Sequence, residues 1–215
     1  GAALIMVDEK TSENEIVVVP GACSNITDKD IKMAKESIEN SKVFLTQLET
    51  NVDAVEKAVD IAYKNGVTVV LNPAPVQEIS DELYKKIDVL TPNEVEASIL
   101  SGVNVETIED AKKAANVLMK KGVKNVLITL GSKGVLVVTS QKEEFIQSYK
   151  VNVVDTTGAG DAYNGAFATA LSEGKDIFEA AHFANAAAAI SVTRIGTAPA
   201  MAYRNEIEKF ISNNK

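Results

Sequence analysis

The stretch "VVDTTGAGDAYNGAFATAL", residues 153–171, runs from β-branched residues into alanine-rich ones, with three glycines and two aspartates around the join. A tight turn needs one glycine. Here Gly158 and Gly160 flank a single alanine, and Asp161 follows directly. A helix starting at this point would offer unpaired N–H groups and the positive end of its dipole to an anion. Glycines let that anion approach without a Cβ in the way. A carboxylate beside it can take a proton from an attacking hydroxyl while the amides stabilise a transferring phosphoryl group. The same residues also read as a tight strand–helix turn with Asp161 as a first-turn acid.

Working outward, strands and helical patterns alternate. "AALIMV" and "NEIVVVPGA" are β-like runs around a polar "DEKTSEN", the pattern of a hairpin. "SKVFLTQLE" reads as a buried-type strand and Val52–Lys64 as a helix stopped by Asn65-Gly66. "VTVVLNPAP" and Ile87–Leu90 read as strands, Asn93–Gly102 and Thr107–Lys121 as helices. "KNVLITLGSKGVLVVTS" supplies two strands around a Gly-Ser-Lys-Gly turn, and "EEFIQSYKVNVVDT" supplies more strand. Helices are expected at about 159–173, 176–192 and 202–212. The fold class is α/β, a Rossmann-like, largely parallel sheet flanked by helices.

Composition narrows the chemistry. The 215 residues are 46% hydrophobic and 24% charged, a globular balance. A net charge of -8 gives a nucleic-acid surface no support. Cys23 is the one cysteine and His182 the one histidine, so neither an internal disulfide, a Cys/His zinc cluster nor a histidine triad can form. No apolar run is long enough to span a bilayer, and "GAALIMVDEK" has no basic leader, so a cytoplasmic protein is expected.

Ligands of open α/β sheets sit at the carboxyl ends of the strands. The unusual residues fall there: Glu49, Asn72, Asn93 with Glu96, Thr129 to Ser132, and Asp155 to Asp161. One edge of one sheet would gather them all. Alone, Asn93 and Glu96 read as a helix cap and a solvated acid. Gly131-Ser132-Lys133-Gly134 alone reads as a hairpin turn, and no G-x-x-x-x-G-K-[ST] loop occurs.

"DTTGAGDAYNGAF" resembles the second signature of the ribokinase-like (PfkB) sugar kinase family. "NPAP" at 72–75, "TPNEVEA" at 91–97, "TLGSKG" at 129–134 and "AAAAISVTRIGTAPA" at 186–200 resemble that family in the same order. The resemblance implies ATP-dependent phosphorylation of a sugar hydroxymethyl group, with D-ribose the leading acceptor at its 5-hydroxyl. It implies Mg²⁺ and a stimulating K⁺. By position, Asp161 matches the catalytic base, and Gly158, Ala159 and Gly160 the anion hole. Asn93 and Glu96 match the pair that organises Mg²⁺ and triphosphate, Glu96 through water. Thr129, Leu130, Gly131, Ser132, Lys133 and Gly134 match the nucleotide loop, and Asn185 a position beside the adenine. Lys133 is not given a Walker lysine's role. Glu49 resembles an acid that contacts the sugar. Asp155, Thr157, Ser191, Arg194 and Gly196 match the monovalent-cation site, where Ala200 stands in place of a frequent hydroxyl residue. His182 and Cys23 match no role.

The resemblance covers about the C-terminal two-thirds of the family's length. Residues 1–30 resemble neither the family's Gly-Gly motif nor its early sugar-gripping Asp. Residues 1–24 instead match lid strands and 25–215 the nucleotide-binding α/β domain, with a homodimer expected through the lid. The chain by itself is expected to bind nucleotide while phosphorylating ribose negligibly. Another sugar or nucleoside kinase of the family, or a non-catalytic nucleotide-binding fragment, are the alternative readings.

Overall fold

The computed structural model describes residues 1–7 and 14–214. Strands β1 (Ala2–Val7) and β2 (Asn14–Val19) pair antiparallel, with Ala2 opposite Val19 and Leu4 opposite Val17. This is the expected hairpin; its connection, 8–13, lies outside the described residues. The ribbon forms a sheet of its own.

The remaining strands form one mixed sheet in sequential order: β3 (Val43–Thr46), β4 (Thr68–Leu71), β5 (Val89–Leu90), β6 (Asn125–Thr129), β7 (Gly134–Val138) and β8 (Glu143–Gln147). β3 to β6 are parallel. β7 and β8 turn antiparallel, because the links at 130–133 and 139–142 are too short for a crossover. The expectation of a largely parallel sheet therefore holds for its first four strands.

Alternation along the strands loads both faces. Val69, Leu71, Val126, Ile128, Leu136 and Val138 point into one core; Val70, Leu127, Val135 and Val137 point into the other. Helices α1 (Asp28–Glu39), α2 (Val52–Lys64), α3 (Asp81–Tyr84), α4 (Glu94–Ser101) and α5 (Ile108–Lys120) precede β6, and α2, α4 and α5 supply the first core. Helices α6 (Ala159–Ser172), α7 (Ile177–Ser191) and α8 (Arg204–Asn213) supply the second. The buried alanines of α7, at 180, 181, 184, 186, 187 and 189, let α6 pack close. Phe167 of α6 is fully buried there, worth roughly 3 kcal/mol.

The helix ends follow from local chemistry. Asn93, Thr107 and Asp176 cap α4, α5 and α7 through their side chains, and Gly102 ends α4 in the left-handed region at φ 74°.

Three elements depart from the sequence reading, the short helix α3, which had no assignment, among them. Helix α1 had no assignment, although Ile31, Ala34 and Ile38 fall at helical spacing; Ile38 is its single buried residue and Ile31 packs only part-buried on the core. The reciprocal cap between Thr27 and Asp30 was the legible signal. Conversely, "VNVV" at 151–154 is not a strand. Val153 and Val154 are 56% and 51% exposed, and Val154 donates its amide to the Val192 carbonyl instead of joining the sheet. Asp155 therefore follows a loop tied to the end of α7.

Candidate active site

The carboxyl ends of β3 to β6 converge with the first turn of α6. Asn72 donates its backbone amide to Thr46, Thr129 donates its own to Pro92, and Asn93 bridges to Thr129. Strand ends that are far apart in sequence thus meet along one edge, as expected.

Gly158 is the N-cap of α6, at φ 75°, and a Cβ there would lie 3.2 Å from the Thr197 methyl. Conformation and packing both demand glycine. Gly160 is different: a Cβ there would touch nothing within 4 Å, so the protein's own packing makes no use of the missing atom. The Ala159 amide donates to Thr156 and the Ala162 amide to Gly158. Among the described residues, no acceptor takes the amides of Gly158, Gly160 or Asp161. These three donors lie unpaired at the positive end of a 14-residue helix, the arrangement an anion site requires.

Asp161 is exposed, and Gln47 at the end of β3 donates its side-chain amide to Oδ1 at 3.0 Å. The sequence reading missed Gln47, because nothing local marks a polar residue whose partner lies on a distant helix. Glu49, two positions on, is exposed and makes no hydrogen bond among the described residues.

Asn93 and Glu96 form a reciprocal cap. Asn93 Oδ1 accepts the Glu96 amide at 2.8 Å, and Glu96 Oε2 accepts the Asn93 amide at 2.9 Å. The cap half of the isolated reading is correct, but Glu96 is not a solvated acid. It is buried, and burial pushes its carboxyl above the ordinary range.

The Gly-Ser-Lys-Gly segment is a 3₁₀ turn in the β6–β7 hairpin. At Gly134 a Cβ would fall 2.1 Å from the Ile146 carbonyl oxygen, so this glycine is required by the neighbouring strand. Leu130 is buried in the core, and Lys133 Nζ donates to the Glu106 carbonyl at 3.0 Å. The backbone amides of Leu130 and Gly134 are spent within the turn, on the Gly134 and Gly131 carbonyls, so neither residue keeps a free donor for a ligand. Ser132 is exposed, and its carbonyl accepts from Ser148 Oγ.

Two adjoining hollows lie beside this turn. A cleft of about 530 Å³ is lined by Gly131, Tyr149, Val151, Asn185, Ala188 and Val192 among others. A smaller one of about 250 Å³ reaches Asn93, Thr129, Gly160 and Tyr163, and shares Gly131, Ala159, Asn185 and Ala188 with the first. Asn185 is buried and donates to the Gln147 carbonyl, which fixes its side chain at the junction. The buried Tyr163 hydroxyl has no partner among the described residues.

Asp155 joins the segment before α6 to the loop after α7. Oδ1 accepts the Thr157 amide and Oδ2 the Gly196 amide, each at 2.9 Å, and these bonds hold its carboxyl below the usual range. Ser191 Oγ is spent on the Ala188 carbonyl, and Arg194 pairs with Glu206 of α8. Ala200 is buried. His182 lies on the surface of α7 against Glu144, and Cys23 is an exposed free thiol.

The sequence of residues 1–202 matches the pfkB family carbohydrate kinase. The chain belongs to the pfkB carbohydrate kinase family. It is 48% identical over 213 residues to a ribokinase of Haemophilus influenzae, covering 99% of this chain and 69% of that relative. It is 36% identical over 216 residues to a deoxyribokinase of Salmonella typhi, covering all of this chain and 70% of the relative. Its fold superposes on the Arabidopsis thaliana ribokinase complexed with ribose and ATP with a TM-score of 0.87. That match has 35% identity and covers 97% of this chain and 68% of the other. The chain thus spans about 68–70% of the length of the relatives it matches.

Proposed function

We propose that this chain carries the phosphoryl-transfer centre of an ATP-dependent ribose kinase, which places the γ-phosphoryl of ATP on the 5-hydroxyl of D-ribose. The observation that carries the reading is Asp161 standing beside three unpaired amides at the start of α6. The ribose oxygen attacks the γ-phosphorus, the bond from that phosphorus to the β–γ bridging oxygen breaks, and ADP leaves. Asp161 accepts the hydroxyl proton and, being exposed, returns it to solvent. The amides of Gly158, Gly160 and Asp161, with the helix dipole, stabilise charge on the phosphoryl oxygens in transit. The nucleotide base fits the 530 Å³ cleft beside Asn185, and its phosphates run past Gly131, Ser132 and Thr129 toward Gly160. Lys133 is read as part of the nucleotide turn, its amine being tied to the Glu106 carbonyl. Glu49 is read as a sugar contact from the end of β3.

Among the described residues no three His, Cys, Asp or Glu side chains cluster as a metal cage. Mg²⁺ is read as arriving on the triphosphate, with Glu96 reaching it through water and Asn93 shaping the approach. When bound, Mg²⁺ neutralises charge on the phosphate oxygens. A K⁺ ion is read behind the anion site, between Asp155 with Thr157 and the loop of Ser191, Arg194 and Gly196; Ala200 supplies no hydroxyl to it. The assembly is read as a homodimer through the N-terminal ribbon, and the location as cytoplasmic. Among the described residues no helix is long and apolar enough to cross a membrane.

The test is ribose-dependent ADP release by the protein that carries this chain, beside its Asp161→Asn variant. Turnover is expected to fall at least about 10³-fold in the variant, with ATP affinity within about threefold of the parent. Near-normal turnover by the variant removes Asp161 from the base role. A parent that phosphorylates other sugars and not ribose reassigns the acceptor.

A further inference from the structure

Beneath the anion site runs a buried chain of polar side chains that the proposed mechanism leaves unused. Asn164, one turn beyond Gly160 on α6, donates Nδ2 to the Gly160 carbonyl at 2.9 Å. Its Oδ1 accepts the Thr91 hydroxyl at 2.6 Å. The Thr91 carbonyl in turn accepts Asn72 Nδ2 at 2.8 Å. Thr91 and Asn164 are 1% and 6% exposed. The end of β4, the segment after β5 and the first turn of α6 are thereby joined through side chains.

The chemistry of this chain allows one orientation. The Gly160 carbonyl can only accept, so the amide nitrogen of Asn164 must face it. The amide oxygen then faces Thr91, whose hydroxyl must donate to it. That proton has a second acceptor, the Leu71 carbonyl, but at 3.4 Å it is much the poorer one. A flipped Asn164 would set two acceptors against each other at Gly160. The Asn164 amide oxygen and nitrogen each have a partner, and those partners together allow one orientation.

We propose that Asn164 is a positioning residue for phosphoryl transfer, locked by Thr91 and anchored by Asn72. It acts through Gly160. Holding that carbonyl down the helix axis fixes the plane of the peptide bond that carries the Asp161 amide, one of the three free donors. An anion site gains most from donors that need no reorganisation when charge develops. The inference rests on reading Gly158 to Asp161 as the phosphoryl site, and it explains why the polar pair at 91 and 164 lies in an otherwise apolar setting.

The test compares Thr91→Val, which keeps the shape and removes the hydroxyl, with Thr91→Ser, which keeps the hydroxyl. Two readouts are taken: steady-state kinetics, and ¹⁵N order parameters of the Gly160 and Asp161 amides. In Thr91→Val the order parameters are expected to drop from the rigid range near about 0.85 toward about 0.6. Turnover is expected to fall about tenfold with KM for ATP and sugar within about twofold, and Thr91→Ser to stay near the parent in both. If the valine variant does not fold, Thr91→Ala against Thr91→Ser gives the same hydroxyl comparison. Unchanged order parameters, or unchanged turnover in an active parent, overturn the proposal. A parent that transfers no phosphoryl group defeats the reading of the site, and the order parameters then decide the lock alone.

Discussion

Gln47 and Asp161 are 114 positions apart in sequence and meet at 3.0 Å, the amide of one on the carboxylate of the other. Gln47 stands just past β3 and Asp161 in the first turn of α6, so the bond spans strand end and helix start. It occupies Oδ1 and leaves Oδ2 for a substrate hydroxyl. Replacing Gln47 with Met keeps the length and removes the donor. Turnover is expected to fall about tenfold while KM for ATP is unchanged, since the phosphate donors are untouched. Steady-state kinetics with each substrate varied decide it; a change in KM for ATP alone would mean that Gln47 serves the nucleotide.

How much of this was legible beforehand follows from range. Caps and glycines act within a few residues, so the starts of α4, α5 and α6 and the turn at Gly131 could be read from the chain. Continuous runs of valine, leucine and isoleucine bounded by turn residues located β4, β6 and β7. Helix α1 escaped because it buries little, and "VNVV" misled because β-branched residues favour a strand only when a neighbouring edge receives them. The reversal of β7 and β8 was implicit in two short turns. Within the site, Asp161 and the glycines were visible as a motif, whereas Gln47, Thr91 and Asn164 became functional candidates only through partners on other elements.

The ribbon makes a prediction about assembly. Register places Leu4 opposite Val17 and Ala2 opposite Val19, so alternation puts Leu4, Met6, Val17 and Val19 on one face. They are 69%, 53%, 47% and 57% exposed. An apolar strand face left in water favours pairing with a second copy. Leu4→Lys with Val17→Glu keeps a favourable cross-strand pair and makes the face polar. The parent is expected to sediment as a dimer and the double variant as a monomer. A parent that stays monomeric at high concentration refutes the ribbon as a dimer interface.

Asp155 carries the cation prediction. Its two oxygens hold the Thr157 and Gly196 amides, and those bonds keep it ionised well into acid. An anion fixed behind the phosphate site is a place for K⁺ to reinforce both loops. Activity is expected to rise several-fold, roughly threefold or more, with K⁺ over tetramethylammonium at equal ionic strength, and Asp155→Asn to flatten the response. A parent indifferent to K⁺ would leave Asp155 as a loop clasp only.

Glu96 separates a cap from a metal contact. Burial raises its carboxyl, the Asn93 amide works against that rise, and Glu94 adds to it. A raised carboxyl favours the folded state most below its unfolded value, near 4.5. As pH climbs from there through the raised folded value, the folded state must ionise a buried group, and stability falls. Glutamine at 96 can still accept the Asn93 amide and never ionises. Glu96→Gln is therefore expected to be at least as stable as the parent at pH 7 and to lose that portion of the slope in denaturant titrations across pH. The same variant should need several-fold more Mg²⁺ for half-maximal turnover, about threefold or beyond, if Glu96 reaches the metal through water. Glu96→Ala, which also breaks the reciprocal cap, should lose about 1 kcal/mol of stability on top of that Mg²⁺ effect. An unchanged Mg²⁺ dependence in both variants, with stability lost in the alanine alone, would make Glu96 a cap and nothing more.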